Sequence, residues 1–521
     1  MKRRTMLLSA TTLAMPRIAR AQAASTLKFV PYADLAMLDP IATGNYSVRN
    51  HAMMVFDTLY GVDDRLQPRP QMLAGHVVEN DGRAWRLTLR DGLRFHDGAP
   101  VLARDAVASL RRWAARDSAG NALFAATDEL SAPDDRTLQF RLKRPFPLLP
   151  AALGKAVSNV AVIMPERLAA TDPFKPVTDM TGSGPYRFVA AEQMTGVRAV
   201  YERFAGYVPR QEPPSLLAGG KVANFARIEW HIIPDPATAA AALQKGEVDW
   251  WEQPTTDYWA SLKARPDLTF DILEPSGAAY HVCRLNHLTP PFSNPKVRQA
   301  ALAAISQSDV QTAGTGTDPA MWRNRVGFFS PDSPMASTDG MEALRDPPDL
   351  GRARRMLAES GYAGEKVVMI STPITPTLFA AAQVITASWR DIGFNADLQA
   401  GDVATLIQRL TNKNPVDAGG WSAEADATAG MATFDPLANS LMRGNGSALG
   451  WPQIPRLEAL RDAWLAEPDA AARKELCRQI QLVCFAELPY IPTGIGLRPT
   501  AYSRTLTGLL RGILFYGVRR T

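Results

Sequence analysis

The chain has 521 residues, 46% of them hydrophobic and 21% charged, with a formal net charge of +5. That length exceeds what one hydrophobic core usually serves, so two or more domains are expected. Lys2, Arg3, Arg4, Arg17 and Arg20 account for the whole excess of +5. The remainder is near neutral, which removes the case for nucleic-acid or anionic-membrane binding.

Those five cations flank an uncharged run from Thr5 to Met15, followed by Pro16 and the small-residue stretch Ala19-Arg20-Ala21-Gln22-Ala23. The pattern predicts a secretory signal cut after Ala23. The run is too short for the roughly 20 residues that a membrane span needs. Arg3-Arg4 fits a twin-arginine signal as well as a general secretory one. No cysteine precedes Cys283, so no lipid acceptor stands at the cleavage site. A monomeric periplasmic protein without a lipid anchor is expected.

Trp85, Leu87 and Leu89 alternate with Arg86, Thr88 and Arg90, the period-two signature of a half-buried strand. Asp91-Gly92 supplies a tight turn, Leu93 to His96 reads as a second short strand, and Asp97-Gly98-Ala99-Pro100 turns the chain into a helix beginning at Ala103. Further along, Asp235-Pro236 marks a cap and a first-turn proline, and Gly246 ends that helix before Val248-Asp249-Trp250. Asn294-Pro295 starts another helix in the same way. Asp349 caps a third, with Leu350, Ala353, Met356 and Leu357 on one face and Gly361 as its stop. Strands such as Lys366 to Ile370 alternate with these helices, which indicates α/β construction.

Enzymatic signatures are missing from the sequence: there is no HExxH, GxSxG, GxGxxG or phosphate-binding loop. His281 and His287 flank Cys283 but form no complete metal-ligand set. Cys477 and Cys484, two helical turns apart, are beyond disulfide reach of one another. Cys283 has the spacing for neither a CxxC pair nor a metal site; a bridge from it to Cys477 or Cys484 stays open, and buried small hydrophobes are the better reading of all three. No catalytic residue, metal or cofactor is predicted.

The run Trp85 to Leu110 resembles the W-x-x-x-L-R-D-G-x-x-F-H-D-G-x-P signature of extracellular solute-binding protein family 5, the dipeptide, oligopeptide and nickel receptors of ABC importers. Other landmarks follow in family order. They are Leu38-Asp39-Pro40, Val55-Phe56-Asp57-Thr58-Leu59-Tyr60, Gly182-Ser183-Gly184-Pro185-Tyr186, Gly246-Glu247-Val248-Asp249, Pro291 to Ala300 and Ala353 to Tyr362.

The resemblance implies a two-lobed α/β fold of the periplasmic binding protein kind, with the ligand cleft between lobes. Lobe one would hold residues 24–278 and 486–521, with an extra subdomain at about 69–181, and lobe two residues 279–485. It also implies a periplasmic receptor that captures a short peptide or peptide-like amine-bearing solute and delivers it to the permease subunits of an ABC importer. A nickel chelate, opine or oligosaccharide is the alternative ligand, and a secreted hydrolase the alternative class.

Within Gly420-Trp421-Ser422-Ala423-Glu424-Ala425-Asp426, similarity to peptide-binding members makes Trp421 an aromatic wall and Glu424 the partner of a ligand ammonium. Asp426 is the substitute, because the family has aspartate where Glu424 stands. Asn45, Tyr46, Tyr280 and Tyr490 are further candidates, near the early loop and the two hinge crossings.

Overall fold

The computed structural model describes residues 25–157, 159–273 and 278–521. The predicted signal segment, 1–23, lies outside the described residues. Two sheets organise the chain. The first has seven strands, in the order Tyr186–Phe188, Arg198–Arg203, Arg227–His231, Thr26–Val30, Trp250–Trp251, Thr500–Ser503 and Leu268–Asp271. Thr26–Val30 lies parallel to both of its neighbours, and Thr500–Ser503 is antiparallel to the strands beside it. Phe29, Trp230, Trp250 and Phe515 interlock in its core, with ring centroids between 4.9 and 5.7 Å apart. Trp250 is therefore a core residue, and Trp251 is buried in a separate cluster with Val30, Leu262 and Leu268.

The second sheet has six strands, in the order Trp322–Arg323, Tyr490–Leu497, Ala278–Leu285, Ala423–Ala429, Lys366–Ser371 and Asn395–Ala400. The predicted helices form around the sheets with the expected caps. Asp235 accepts from Thr238 N at the head of Pro236–Gln244, Asn294 from Lys296 N at Pro295–Ala303, and Asp349 from Arg352 N at Leu350–Glu359. Tyr490–Leu497, which the sequence reading put in lobe one, pairs along Ala278–Leu285. The return crossing is thus the Arg498-Pro499 connector, later than residue 486. Helical spacing up to Glu487 shows where a helix stops, but which sheet takes the next strand is a matter of tertiary pairing.

A separate four-stranded antiparallel sheet has the order Leu73–Glu79, Ala84–Leu89, Thr137–Leu142 and Thr127–Ser131. Trp85, Leu87 and Leu89 point inward and Arg86 outward, as the alternation requires. The expected hairpin does not form. The flanking partners of Ala84–Leu89 are Leu73–Glu79 and Thr137–Leu142. Residues 93–96 make only a single bridge, between Arg94 and Pro100. With both edges of Ala84–Leu89 already hydrogen-bonded, no edge is left for a third strand.

The motifs that carried the resemblance turn out to be packing devices. Asp39 is fully buried and takes both Arg112 Nη atoms, at 3.2 and 2.6 Å. Asp57, also buried, accepts from Lys221 Nζ at 2.7 Å and from the Tyr207 hydroxyl at 2.8 Å. Asp105 accepts from the amides of Leu102 and Glu166, both at 2.8 Å. His96 joins two motifs: Gly182 N donates to its Nδ1 at 3.2 Å, and its Nε2 lies 3.1 Å from Gly184 O. An acceptor Nδ1 leaves the proton on Nε2, and burial keeps the ring neutral, with its pKa lowered to about 4. Buried charges survive in such sites because each is paired and hydrogen-bonded.

Candidate functional site between the two sheets

Thr26–Val30 and Trp250–Trp251 run parallel and release the chain at the same edge of the seven-stranded sheet, where Thr500 enters. In α/β sheets the crevice beyond the carboxyl ends of parallel strands is where ligands bind. Residues just past those ends meet here. Tyr32 N donates to Glu252 Oε2 at 2.8 Å, and Asn50 Nδ2 donates to Glu252 Oε1 at 3.2 Å. Burial drives the Glu252 carboxyl up to about 7, against the milder opposing effects of its donors and of Arg498 and Arg49.

The helix Tyr46–Val55 presents Tyr46, whose ring lies 6.4 Å from that of Tyr32 and 5.5 Å from the Arg49 guanidinium. Arg498, on the second connector, is within electrostatic range of Tyr32, Tyr46 and Glu252, and of His281 on the other sheet. His281 is kept neutral by burial, with its pKa lowered to about 4, and its Nδ1 lies 2.9 Å from Gln311 Nε2.

A cavity of about 290 Å³ lies between the two halves of the molecule. Pro150, Lys155 and Val157 line it from the first, and Phe434, Leu437 and Trp464 from the second. Ala156 also lines it, and its carbonyl accepts from Arg49 Nε at 2.9 Å, which links the hinge cluster to the cavity wall. A larger recess of about 650 Å³, around Met341 and Arg478, is lined by the second half alone.

The predicted site residues separate into three groups. Glu424 and Asp426 do come together, on one face of the second sheet with Arg284. Cross-strand register sets Arg284 opposite Glu424 and Val282 opposite Asp426. Arg284 Nη1 donates to Glu424 at 2.6 Å and its Nη2 to Asp426 at 2.5 Å. Glu424 is 5% exposed, and burial dominates its titration, pushing it up to about 8 despite Arg284. Its carboxylate is therefore consumed by an internal pair, which corrects the expectation that it stands ready for a ligand ammonium. Asp426, with its side chain 30% exposed, keeps the accessible acceptor.

Trp421 is fully buried against Val368, Ile370 and Trp451, with the two indoles 5.9 Å apart. This packing makes it core, where an aromatic cleft wall was expected. Tyr280 and Tyr490 are likewise interior, their rings 6.4 Å apart, and the Tyr280 hydroxyl donates to Gly327 O at 2.5 Å. Asn45 is exposed and spends its side chain as the cap of Tyr46–Val55, accepting from Ser47 N at 2.9 Å. Of the four outlying candidates, Tyr46 joins the cluster of Tyr32, Arg49 and Glu252 at the strand ends. Cys283, Cys477 and Cys484 are all buried free thiols.

Sequence reasoning missed Arg284, Glu252 and Arg498. Glu252 closely follows the G-E-V-D landmark, and its place after a parallel strand is a signal that could have found it. Arg284 and Arg498 carry no local signature at all.

Comparison with known proteins adds an independent line. Residues 67–441 match the model of the bacterial extracellular solute-binding proteins, family 5. A probable peptide ABC transporter periplasmic-binding protein, y4tO, from Sinorhizobium fredii is 36% identical over 512 residues, 96% of this chain and 95% of that protein. The glutathione-binding protein GsiB of Salmonella typhi is 26% identical over 485 residues, 90% of this chain and 89% of its own length. Among solved structures, the dipeptide-binding protein of Pseudoalteromonas sp. SM9913 in complex with Met-Leu superposes with a TM-score of 0.77 at 19% identity, over 95% of this chain and 100% of that one. AgaA of A. tumefacien R10, in complex with agropinic acid, gives a TM-score of 0.78 at 19% identity, over 95% and 99% of the two chains. Both are two-lobed periplasmic binding proteins, and this chain shares their fold.

Proposed function

This chain belongs to the bacterial extracellular solute-binding proteins of family 5, and from that membership we propose that it captures a short peptide or peptide-like amine-bearing solute and delivers it to the permease of an ABC importer. Proteins of this family are receptors rather than enzymes and work outside the cytoplasm. The observation that carries the reading is the cavity of about 290 Å³ walled by both lobes. Its size is close to the lower end of small-ligand pockets, roughly 300 Å³. Lobe closure would shut such a solute from water, and the closed form is what a permease would distinguish from the empty one.

Asp426 supplies the accessible carboxylate oriented by Arg284, a fitting partner for an ammonium. Because Arg284 engages both carboxylates, a non-peptide solute such as an opine is the second reading. In the proposed arrangement residues 1–23 are removed on export, by either secretory route, and the mature chain acts as a monomer in the periplasm.

Native mass spectrometry of the mature protein as purified, followed by denaturing release, tests this proposal. A peptide recovered at about one per chain is the expected result. A released non-peptide solute would move the assignment to the second reading, and product accumulation from added peptide would overturn the receptor assignment.

A further inference from the structure

We infer that Arg498 is the binding residue for a carboxylate of the solute, so that the receptor selects ligands with an anionic group directed at the hinge. The inference rests on the solute-receptor reading above and names ligand chemistry for the crevice at the strand ends, which adjoins the cavity through Arg49 and Ala156. It begins with topology. Arg498 sits on the short connector between Leu497, in the sheet of lobe two, and Thr500, in the sheet of lobe one. It therefore stands at the crevice beyond the parallel strand ends, with Tyr32 and Glu252 leaving the neighbouring strands.

Arg498 is largely desolvated but keeps a little surface, and Tyr32, within its electrostatic reach, is 40% exposed at the rim of the same cluster. Among the described residues, Arg498 donates no hydrogen bond and joins no ion pair. Its nearest acidic neighbour is already engaged, because one oxygen of Glu252 accepts from Tyr32 N and the other from Asn50 Nδ2. The burial that favours the protonated form of Glu252 weakens its charge as a counter-ion for Arg498.

A second guanidinium repeats the pattern. Arg49 is 2% exposed, uses Nε on Ala156 O and Nη1 on Asn50, and leaves Nη2 buried with no hydrogen-bond partner among the described residues. Arg49 lies 5.5 Å from the Tyr46 ring, and Arg498 is within electrostatic range of the same tyrosine. A guanidinium presents donors in a fixed fork that matches a carboxylate, and an unpaired one at a cleft is costly unless an anion completes it. At the lobe-two wall, by contrast, Arg284 already compensates Glu424 and Asp426. Arg498 and Arg49 are thus the guanidinium groups of this crevice that no carboxylate pairs with among the described residues.

The test uses the mature wild-type protein with the variants Arg498→Gln and Arg498→Lys, each melted with and without probe and titrated by calorimetry. The probes are a mixture of dipeptides as free acids, the same dipeptides as C-terminal amides, and N-(1-carboxyethyl) amino acids as non-peptide carboxylates. Wild-type protein should bind the free acids roughly 10- to 100-fold tighter than the amides, the range of a charge-assisted hydrogen bond. Arg498→Gln should abolish that preference, and Arg498→Lys should keep part of it.

Equal binding of acids and amides by the wild type would overturn the inference without recourse to any variant, so a folding defect cannot obscure the result. An acid preference that persists in Arg498→Gln would overturn it as well. Binding of the carboxyethyl amino acids but of no dipeptide, lost in Arg498→Gln, would uphold the carboxylate site while refuting the peptide reading. Failure of the wild type to bind any probe would count against both.

Discussion

Asp426 and Glu424 are two residues apart and share one arginine, yet their environments give them different work. Glu424 is enclosed, and its proton affinity is raised by burial above what Arg284 can offset. Asp426 keeps part of its surface in solvent. A ligand ammonium should therefore feel Asp426 more than Glu424. Replacing Asp426 by Asn is expected to weaken an amine-bearing ligand by roughly 1.5–3 kcal/mol, about tenfold or more in Kd. Glu424→Gln is expected to change Kd little. Isothermal titration with the solute released from the wild type measures both, and the reverse order would return the recognition role to Glu424.

At the scale of elements, the glycines of Gly182-Ser183-Gly184 show how a sequence landmark can be required by packing. A Cβ on Gly182 would stand 1.9 Å from Val55 O, and one on Gly184 2.4 Å from Met54 O. The loop is thus pressed against the last turn of Tyr46–Val55, the helix that carries Tyr46 and Arg49 into the hinge. Since backbone is the obstacle, no side chain can swing aside. Gly182→Ala should destabilise the fold by at least about 1–3 kcal/mol, the cost of overpacking. Gly75→Ala, where a Cβ meets nothing within 4 Å, is its control and should stay within about 0.5 kcal/mol. Urea unfolding of the two variants provides the comparison.

The same scale explains which elements were readable. Helices Pro236–Gln244, Pro295–Ala303 and Leu350–Glu359 announced themselves through cap and proline, because those signals act within a few residues. The hairpin expected at Leu93 to His96 did not form, since strand partners are chosen by sheets and not by adjacent turns.

For the whole molecule, buried titratable groups set opposing pH limbs. Glu252 and Glu424 have folded pKa values raised above the usual 4.5, to about 7 and about 8. Their contributions are complete below about pH 4.5 and are lost as pH rises through those values. His51 and His281 are depressed to about 3 and about 4 by burial, so they fold neutral. Their contributions are present above about pH 6.5 and are lost as pH falls toward the folded values.

Stability should consequently pass through a maximum in the weakly acidic range. With Glu252 at about 7, Glu252→Gln should lose roughly 2–3 kcal/mol less stability than wild type between about pH 5 and about pH 9. Unfolding midpoints measured at those two pH values check this, and an unchanged slope would mean that Glu252 is ionised throughout.

The sequence by itself determined the α/β character, the principal helices with their ends, the strand at Trp85 to Leu89 and, through ordered landmarks, the family. These follow from interactions spanning a few residues or from motifs fixed by packing. It placed the acidic pair at Glu424 and Asp426 but assigned the wall role to Trp421, whose neighbours Val368, Ile370 and Trp451 come from elsewhere in the chain. Only the tertiary structure decided that Arg284, 140 residues before Glu424, hydrogen-bonds both members of that pair, that Tyr490–Leu497 belongs to the second sheet, and that Arg498 lies on the connector between the two sheets. Each of these depends on register between strands distant in sequence. A single shift in that register sends a side chain to the opposite face, and no local pattern encodes it.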